Sequence, residues 1–61
     1  LKNIIFARKS IVARKQIKKG EKFSIHNLTV KRPGDGVSPM EWNKLINKKS
    51  KFNYIKDDKI K

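Results

Sequence analysis

Residues 31–42 read Lys31-Arg32-Pro33-Gly34-Asp35-Gly36-Val37-Ser38-Pro39-Met40-Glu41-Trp42, and this stretch decides the fold. Proline fixes its own φ and glycine reaches conformations that other residues resist, so Pro33-Gly34 and Asp35-Gly36 predict two consecutive turns. A helix start follows these turns. Ser38 can cap the helix, Pro39 takes its first position, and Glu41 stands at the spacing of a capping box.

Arg32 stands immediately before the two predicted turns. A guanidinium on a rigid turn contributes little to packing, but it can present a fixed, planar fork of hydrogen-bond donors to a ligand. We therefore predict that Arg32 is a binding residue, with Lys31 as a weaker candidate for the same rim. The competing interpretation is a surface salt bridge, for which Asp35 is a nearby carboxylate.

The neighbouring segments predict a mainly β fold with short helical turns. Ser10–Ala13 is rich in β-branched residues and residues 29–32 alternate in polarity, so both segments are predicted to be strands. The helix is expected to span residues 39–46, with Trp42 on its core-facing stripe and Asn47 ending it in a left-handed conformation.

Residues 53–60 repeat the pattern of residues 16–23. Tyr54 takes the place of Ile17 and Ile60 that of Phe23, with a polar turn between the members of each pair. Gly20 supplies the positive φ of the first turn. Two copies of strand–turn–strand predict an internal pseudo-two-fold axis.

Residues 24–28 predict one helical turn capped by Ser24 and supported by Asn27. Leu28 is expected to point inward, and Ile25 is a second candidate for the same side. His26 has no nucleophile or carboxylate near it in sequence, so we interpret it as an exposed turn residue rather than a catalytic one.

The composition restricts the chain to one small domain. A chain of 61 residues buries only about 60% of its unfolded surface, and it has no cysteine for a disulfide or a thiolate metal site. No apolar run has membrane-spanning length. The chain begins at Leu1 rather than methionine, so we interpret residues 1–9 as the end of a linker and residues 10–61 as the domain of a larger protein. The absence of cysteine fits a cytoplasmic location.

The net charge of +12 suggests a nucleic-acid or membrane partner. We predict neither, because the basic residues are spread along the chain and the few aromatic residues do not alternate with them as a stacking platform requires. A small basic module that binds nucleic acid or another polyanion remains the alternative function. The charge can also steer anionic substrates or an acidic partner surface towards the domain.

Four runs, namely Ser10–Ala13 and residues 17–21, 27–34 and 36–42, resemble the C-terminal antifreeze-like domain of bacterial sialic acid synthases, which belongs to the SAF domain family. Arg32-Pro33-Gly34 together with residues 36–42 is specific to the synthase branch, and the resemblance covers about residues 6–60. It implies a compact β-clip fold with an internal pseudo-two-fold. Type III antifreeze proteins share this fold, but the corresponding surface is charged here, with Lys15, Lys18, Lys19, Glu21 and Lys22, which argues against ice binding.

The resemblance also implies an N-acetylneuraminate synthase whose N-terminal TIM barrel condenses phosphoenolpyruvate with N-acetylmannosamine. The barrel would bind a divalent cation, manganese or magnesium, and this domain would bind none. In the family, the small domain covers the barrel mouth of the other subunit of a domain-swapped homodimer, and one arginine reaches the acylamino group of the sugar. Arg32 is the matching residue. The resemblance implies no catalytic residue or metal ligand in this chain. The turn, capping and stripe patterns described above predict structural roles for Pro33, Gly34, Gly36, Ser38, Glu41 and Trp42.

Overall fold

The computed structural model describes residues 8–61. Two strands, β1 (Ser10–Ala13) and β2 (Leu28–Lys31), pair antiparallel, as β-branched segments favour. A 3₁₀ turn (Pro39–Glu41) leads into one α-helical turn, α1 (Trp42–Leu45). The predicted mainly β fold with short helical turns is therefore confirmed. The predicted linker, residues 1–9, lies outside the described residues except for its last two positions.

The internal repeat is visible in the backbone hydrogen bonds. Ile17 and Tyr54, which the sequence pattern makes equivalent, pair with each other through N–H···O=C bonds of 2.9 and 2.8 Å. The Phe23 amide donates a 2.8 Å bond to Lys48 O, and the Ile60 amide donates the equivalent bond of 3.1 Å to Ile11 O. The two strand–turn–strand copies thus face each other across the predicted pseudo-two-fold axis.

The two turns of the repeat share a backbone conformation but not a sequence. Gly20 has the predicted positive φ, 90°, and Asp57 at the equivalent position has a φ of 73°, which aspartate tolerates better than most residues. In each turn the next residue is a carboxylate that accepts a bond from an amide of its own turn. That bond is 3.1 Å long at Glu21 and 3.0 Å at Asp58. A carboxylate therefore closes both turns.

The core lies where the β pair meets the two copies of the repeat. Its fully buried side chains are Ile11, Ala13, Ile17, Phe23, Leu28, Tyr54 and Ile60. Trp42 is only partly buried and packs against the outside of this cluster, because α1 is a single turn and cannot insert a full apolar stripe. Ile25 is 60% exposed, so its inward placement is wrong. The left-handed stop at Asn47 is confirmed by its φ of 72°.

A buried amide holds the turn that precedes β2. The Asn27 side chain accepts a 2.8 Å bond from the Ser24 amide and donates bonds of 2.9 and 3.3 Å to Lys22 O and Glu21 Oε2. The Ser24 hydroxyl accepts a 3.2 Å bond from the amide of His26, whose side chain is exposed, as expected. The predicted helical turn is present, because the amides of Asn27 and Leu28 both donate 3.2 Å bonds to Ser24 O. No helix in residues 8–61 is long and apolar enough to cross a membrane.

Candidate functional site

The loop that carries Arg32 is fastened to β1. Arg32 follows the last residue of β2, its side chain is exposed, and its peptide bond to Pro33 is cis. The Pro33 carbonyl accepts a 2.6 Å hydrogen bond from the hydroxyl of Ser10, which is fully buried at the start of β1. A side chain of the sheet therefore fixes the backbone next to the guanidinium.

Close backbone approach explains the two glycines of the stretch. A Cβ at Gly34 would collide with the Cβ of Arg8, and a Cβ at Gly36 would lie 3.2 Å from that of Ser10. Among the described glycines only Gly20 has a positive φ. The predicted reason for Gly34 and Gly36, conformational freedom, is therefore wrong. These positions need glycine because the chain passes directly over residues 8 and 10.

The structure confirms the predicted cap of the helix start but not the predicted capping box. The Ser38 hydroxyl accepts a 3.2 Å bond from the Met40 amide and Pro39 opens the 3₁₀ turn, which confirms the cap. The Glu41 carboxylate lies 3.5 Å from Lys44 Nζ, one turn further along, instead of closing a capping box. A 3₁₀ start changes the spacing on which the box depends.

The salt bridge predicted as the alternative for Arg32 is absent. Asp35 pairs with Lys59, at 2.8 Å, and Asp57 pairs with Lys31. Hydrogen bonds from these lysines lower the pKa of both carboxyls below the ordinary value of 3.8. Within residues 8–61, no carboxylate lies within salt-bridge distance of Arg32. Arg32 is thus left with its donors available, whereas Lys31 is already engaged.

A groove of about 410 Å³ runs beside this stretch. Its lining residues come from the two positions before β1, from the loop and from the 3₁₀ turn, and they are Arg8, Lys9, Gly34, Gly36, Ser38, Pro39 and Met40. The Met40 side chain is 90% exposed. Sequence reasoning missed Met40, although it is the one apolar residue of the helix start that lies off the stripe of Trp42, Leu45 and Ile46. An exposed apolar side chain beside cationic donors fits a contact surface.

The stretch offers hydrogen-bond donors and shape rather than reactive groups. Among the described residues, no three histidine, cysteine, aspartate or glutamate side chains lie close enough together to hold a metal ion. The divalent cation that the resemblance implies therefore has no fitting ligands in residues 8–61, and we derive no step through it. The geometry supports binding and orientation of a ligand by Arg32.

The sequence matches the SAF domain family over residues 8–58. N,N'-diacetyllegionaminic acid synthase from Campylobacter jejuni is 50% identical over 60 residues, which are 98% of this chain and 18% of the synthase. Pseudaminic acid synthase from the same species is 43% identical over 61 residues, 100% of this chain and 18% of that enzyme. An uncharacterised protein from Methanocaldococcus jannaschii is 44% identical over 57 residues, covering 93% of this chain and 17% of that protein. The chain thus spans less than a fifth of the length of these curated relatives.

Proposed function

The chain belongs to the SAF domain family, and we propose that it is the lid domain of a sialic-acid-type synthase. In this proposal a TIM barrel elsewhere in the enzyme binds manganese or magnesium and condenses phosphoenolpyruvate with an N-acetylmannosamine-type sugar. The domain covers the barrel mouth of the other subunit of a homodimer. It supplies no reactive group, and a cytoplasmic location belongs to the same proposal.

The exposure of Arg32 and the fixed backbone beside it support the proposal. The Arg32 guanidinium is exposed and unpaired among residues 8–61, next to a loop that the 2.6 Å bond between Ser10 and Pro33 holds in place. A donor on a fixed backbone loses less freedom when it binds, so more of its interaction energy appears as affinity. The acylamino oxygen of the sugar is an acceptor that such a fork can bind. Arg32 would therefore orient the sugar.

Met40 and the groove beside it are our candidates for the contact with the barrel. Met40 is 90% exposed, and a flexible thioether side chain adapts to irregular apolar surfaces. When the lid closes, this contact would exclude water from the barrel mouth. Water exclusion and fixed orientation both favour a condensation whose intermediates water could intercept.

Steady-state kinetics of the full-length enzyme test the role of Arg32. We expect Arg32→Ala to lower kcat/KM for the sugar by about 10- to 100-fold, the worth of a hydrogen bond to a charged group, and to change the KM for phosphoenolpyruvate little. Arg32→Lys keeps the charge but not the planar fork, so it should recover only part of the loss. Arg14→Ala, which removes another exposed arginine, is the control. Unchanged sugar kinetics in Arg32→Ala would remove Arg32 from the site.

The identity of the sugar acid that the enzyme forms is a more specific part of the proposal. N-acetylneuraminate follows from the resemblance of the sequence motifs, whereas the 50% identity to N,N'-diacetyllegionaminic acid synthase favours a legionaminic-type product. Mass spectrometry of the acid formed from each sugar precursor distinguishes the two. A lid contact to an acylamino group is compatible with either product.

A further inference from the structure

A second, smaller groove of about 150 Å³ is bordered by lysines. We call it the lysine groove, and its lining residues are Phe23, Leu45, Lys48, Lys49, Lys51, Tyr54 and Lys61. Four of these seven residues are lysines and none is acidic. Phe23 and Tyr54 are buried, with ring centroids 6.3 Å apart, and Leu45 is partly buried. The groove therefore combines a cationic rim with an apolar floor.

The acidic residues of the chain are engaged elsewhere. Asp35, Asp57 and Glu41 form salt bridges with lysines outside the lysine groove. Glu21 and Asp58 accept hydrogen bonds from backbone amides of their own turns. Across residues 8–61, no salt bridge involves a lysine of the groove. An anion that neutralises this rim has to come from outside residues 8–61.

Lys49 also stands directly opposite another lysine. It pairs with Lys22 in an antiparallel bridge, between the 2.8 Å bonds from Phe23 N to Lys48 O and from Ser50 N to Glu21 O. Such a non-hydrogen-bonded pair brings the two Cα atoms to about 4.5 Å, and like charges directly opposite each other are destabilising. The groove thus carries an electrostatic cost that an acidic partner would offset.

The equivalent bridge in the other half of the domain has no repulsion between like charges. There Val12 stands opposite Lys59, and the Lys59 ammonium is neutralised by Asp35 at 2.8 Å. The backbone pattern is the same at both bridges, so the fold does not require a lysine pair. Of the two equivalent bridges, only the one formed by Lys22 and Lys49 places two like charges opposite each other.

We propose that the lysine groove binds an acidic peptide segment that carries an apolar side chain. The apolar side chain packs on Leu45, which is only partly buried, and flanking carboxylates lie against the lysine ammonium groups. Flexible lysines act as point charges and accommodate carboxylates without a fixed geometry. A nucleic acid fits less well, because Phe23 and Tyr54 are buried and offer bases no exposed ring face for stacking. This surface does not depend on the proposed lid function.

Fluorescence anisotropy with a labelled peptide tests the proposal. The probe is a Glu-rich peptide with one central leucine, and its partner probe has serine in place of the leucine. We expect the variant Lys49→Gln/Lys51→Gln to bind the leucine peptide about tenfold more weakly, as the loss of two charge pairs allows. The control Lys15→Gln/Lys56→Gln has the same net charge as the groove variant and alters exposed lysines outside the groove. Its affinity for the leucine peptide should change by less than about twofold. The serine peptide should bind several-fold more weakly than the leucine peptide.

Four results would overturn the proposal. Equal losses in the two double variants, or equal affinity for the two peptides, would show attraction to a polycation rather than to a groove. Tighter binding of random duplex DNA, with a steep salt dependence, would point to nucleic acid instead. Absence of peptide binding at physiological salt would exclude the site. Circular dichroism checks the fold of each variant, and Lys48→Gln/Lys61→Gln provides a second groove variant for the same comparison.

Discussion

The two halves of the repeat have matching backbone hydrogen bonds and different charge patterns. In the second half, Asp57 and Lys59 pair with Lys31 and Asp35, so this half holds the loop around Arg32. In the first half, Lys22 occupies the position equivalent to Lys59, but it faces a lysine. The difference teaches that the shared pattern sets the fold, whereas the unshared charges set what each surface can contact.

Removing the pair that both halves share should have the largest effect. Ile17 is fully buried and bonded to Tyr54, so Ile17→Ala should cost about 2–5 kcal/mol, comparable to the whole stability of a domain this small. We expect no cooperative urea transition by circular dichroism. Ile25→Ala, at a 60% exposed position, should stay within about 0.5 kcal/mol of the parent. A native-like transition in Ile17→Ala would contradict the shared core.

The next largest effect distinguishes a glycine that close packing requires from a glycine that a positive φ requires. Gly34→Ala places a Cβ against Arg8 and should destabilise by about 1–3 kcal/mol, as overpacking does. Gly20→Asn should cost less, because nothing lies within 4 Å of its Cβ and asparagine tolerates the positive φ, as Asn47 does in this chain. Urea midpoints of the two variants test this order. A smaller loss in Gly34→Ala than in Gly20→Asn would contradict the close approach of Gly34 to Arg8.

Reversing one charge should act oppositely in the two halves. Lys22→Glu creates an opposite-charge pair with Lys49 and should stabilise by about 0.2–1 kcal/mol. Lys59→Glu, at the equivalent position, places a carboxylate beside Asp35 and should destabilise. Thermal melts at low salt measure both changes, and added salt should shrink them. Changes of the same sign would argue against the charge difference between the halves.

Lowering the pH should break the ion pairs of the second half. The resulting loss of stability should be the smallest of these effects. The lowered pKa values of Asp35 and Asp57 mean that the unfolded state binds more protons near their ordinary value of 3.8. Their contribution is complete above that pH and is lost as the pH falls through the lowered folded-state values. Urea midpoints between pH 2 and 6 should therefore decline below about pH 4. The decline should be smaller in Lys59→Met, and an identical decline would contradict the role of this pair.

Local chemistry made part of the structure predictable from the sequence. β1, the positive φ at Gly20, the left-handed stop at Asn47 and the Ile17–Tyr54 equivalence depend on neighbouring residues or on a repeated pattern, and all are confirmed. The partly buried Trp42 was harder to predict, because the length of the helix that carries it depends on packing.

Contacts distant in sequence decide the features that the sequence did not reveal. Gly34 is explained only by Arg8, and Asp35 pairs with Lys59 rather than with its neighbour Arg32. The exposure of Met40 likewise depends on how the loop crosses the start of β1. Local sequence rules for turns and caps do not predict these contacts. The role of Arg32 as a ligand contact remains a prediction.

Truncation of the full-length enzyme tests the lid proposal most directly. The enzyme is expressed with and without residues 1–61, and condensation of phosphoenolpyruvate with the sugar is assayed while circular dichroism follows the fold of the remainder. The account predicts that truncation abolishes sugar turnover although the remainder stays folded. A folded, truncated enzyme that turns over the sugar as fast as the whole enzyme would contradict the lid function.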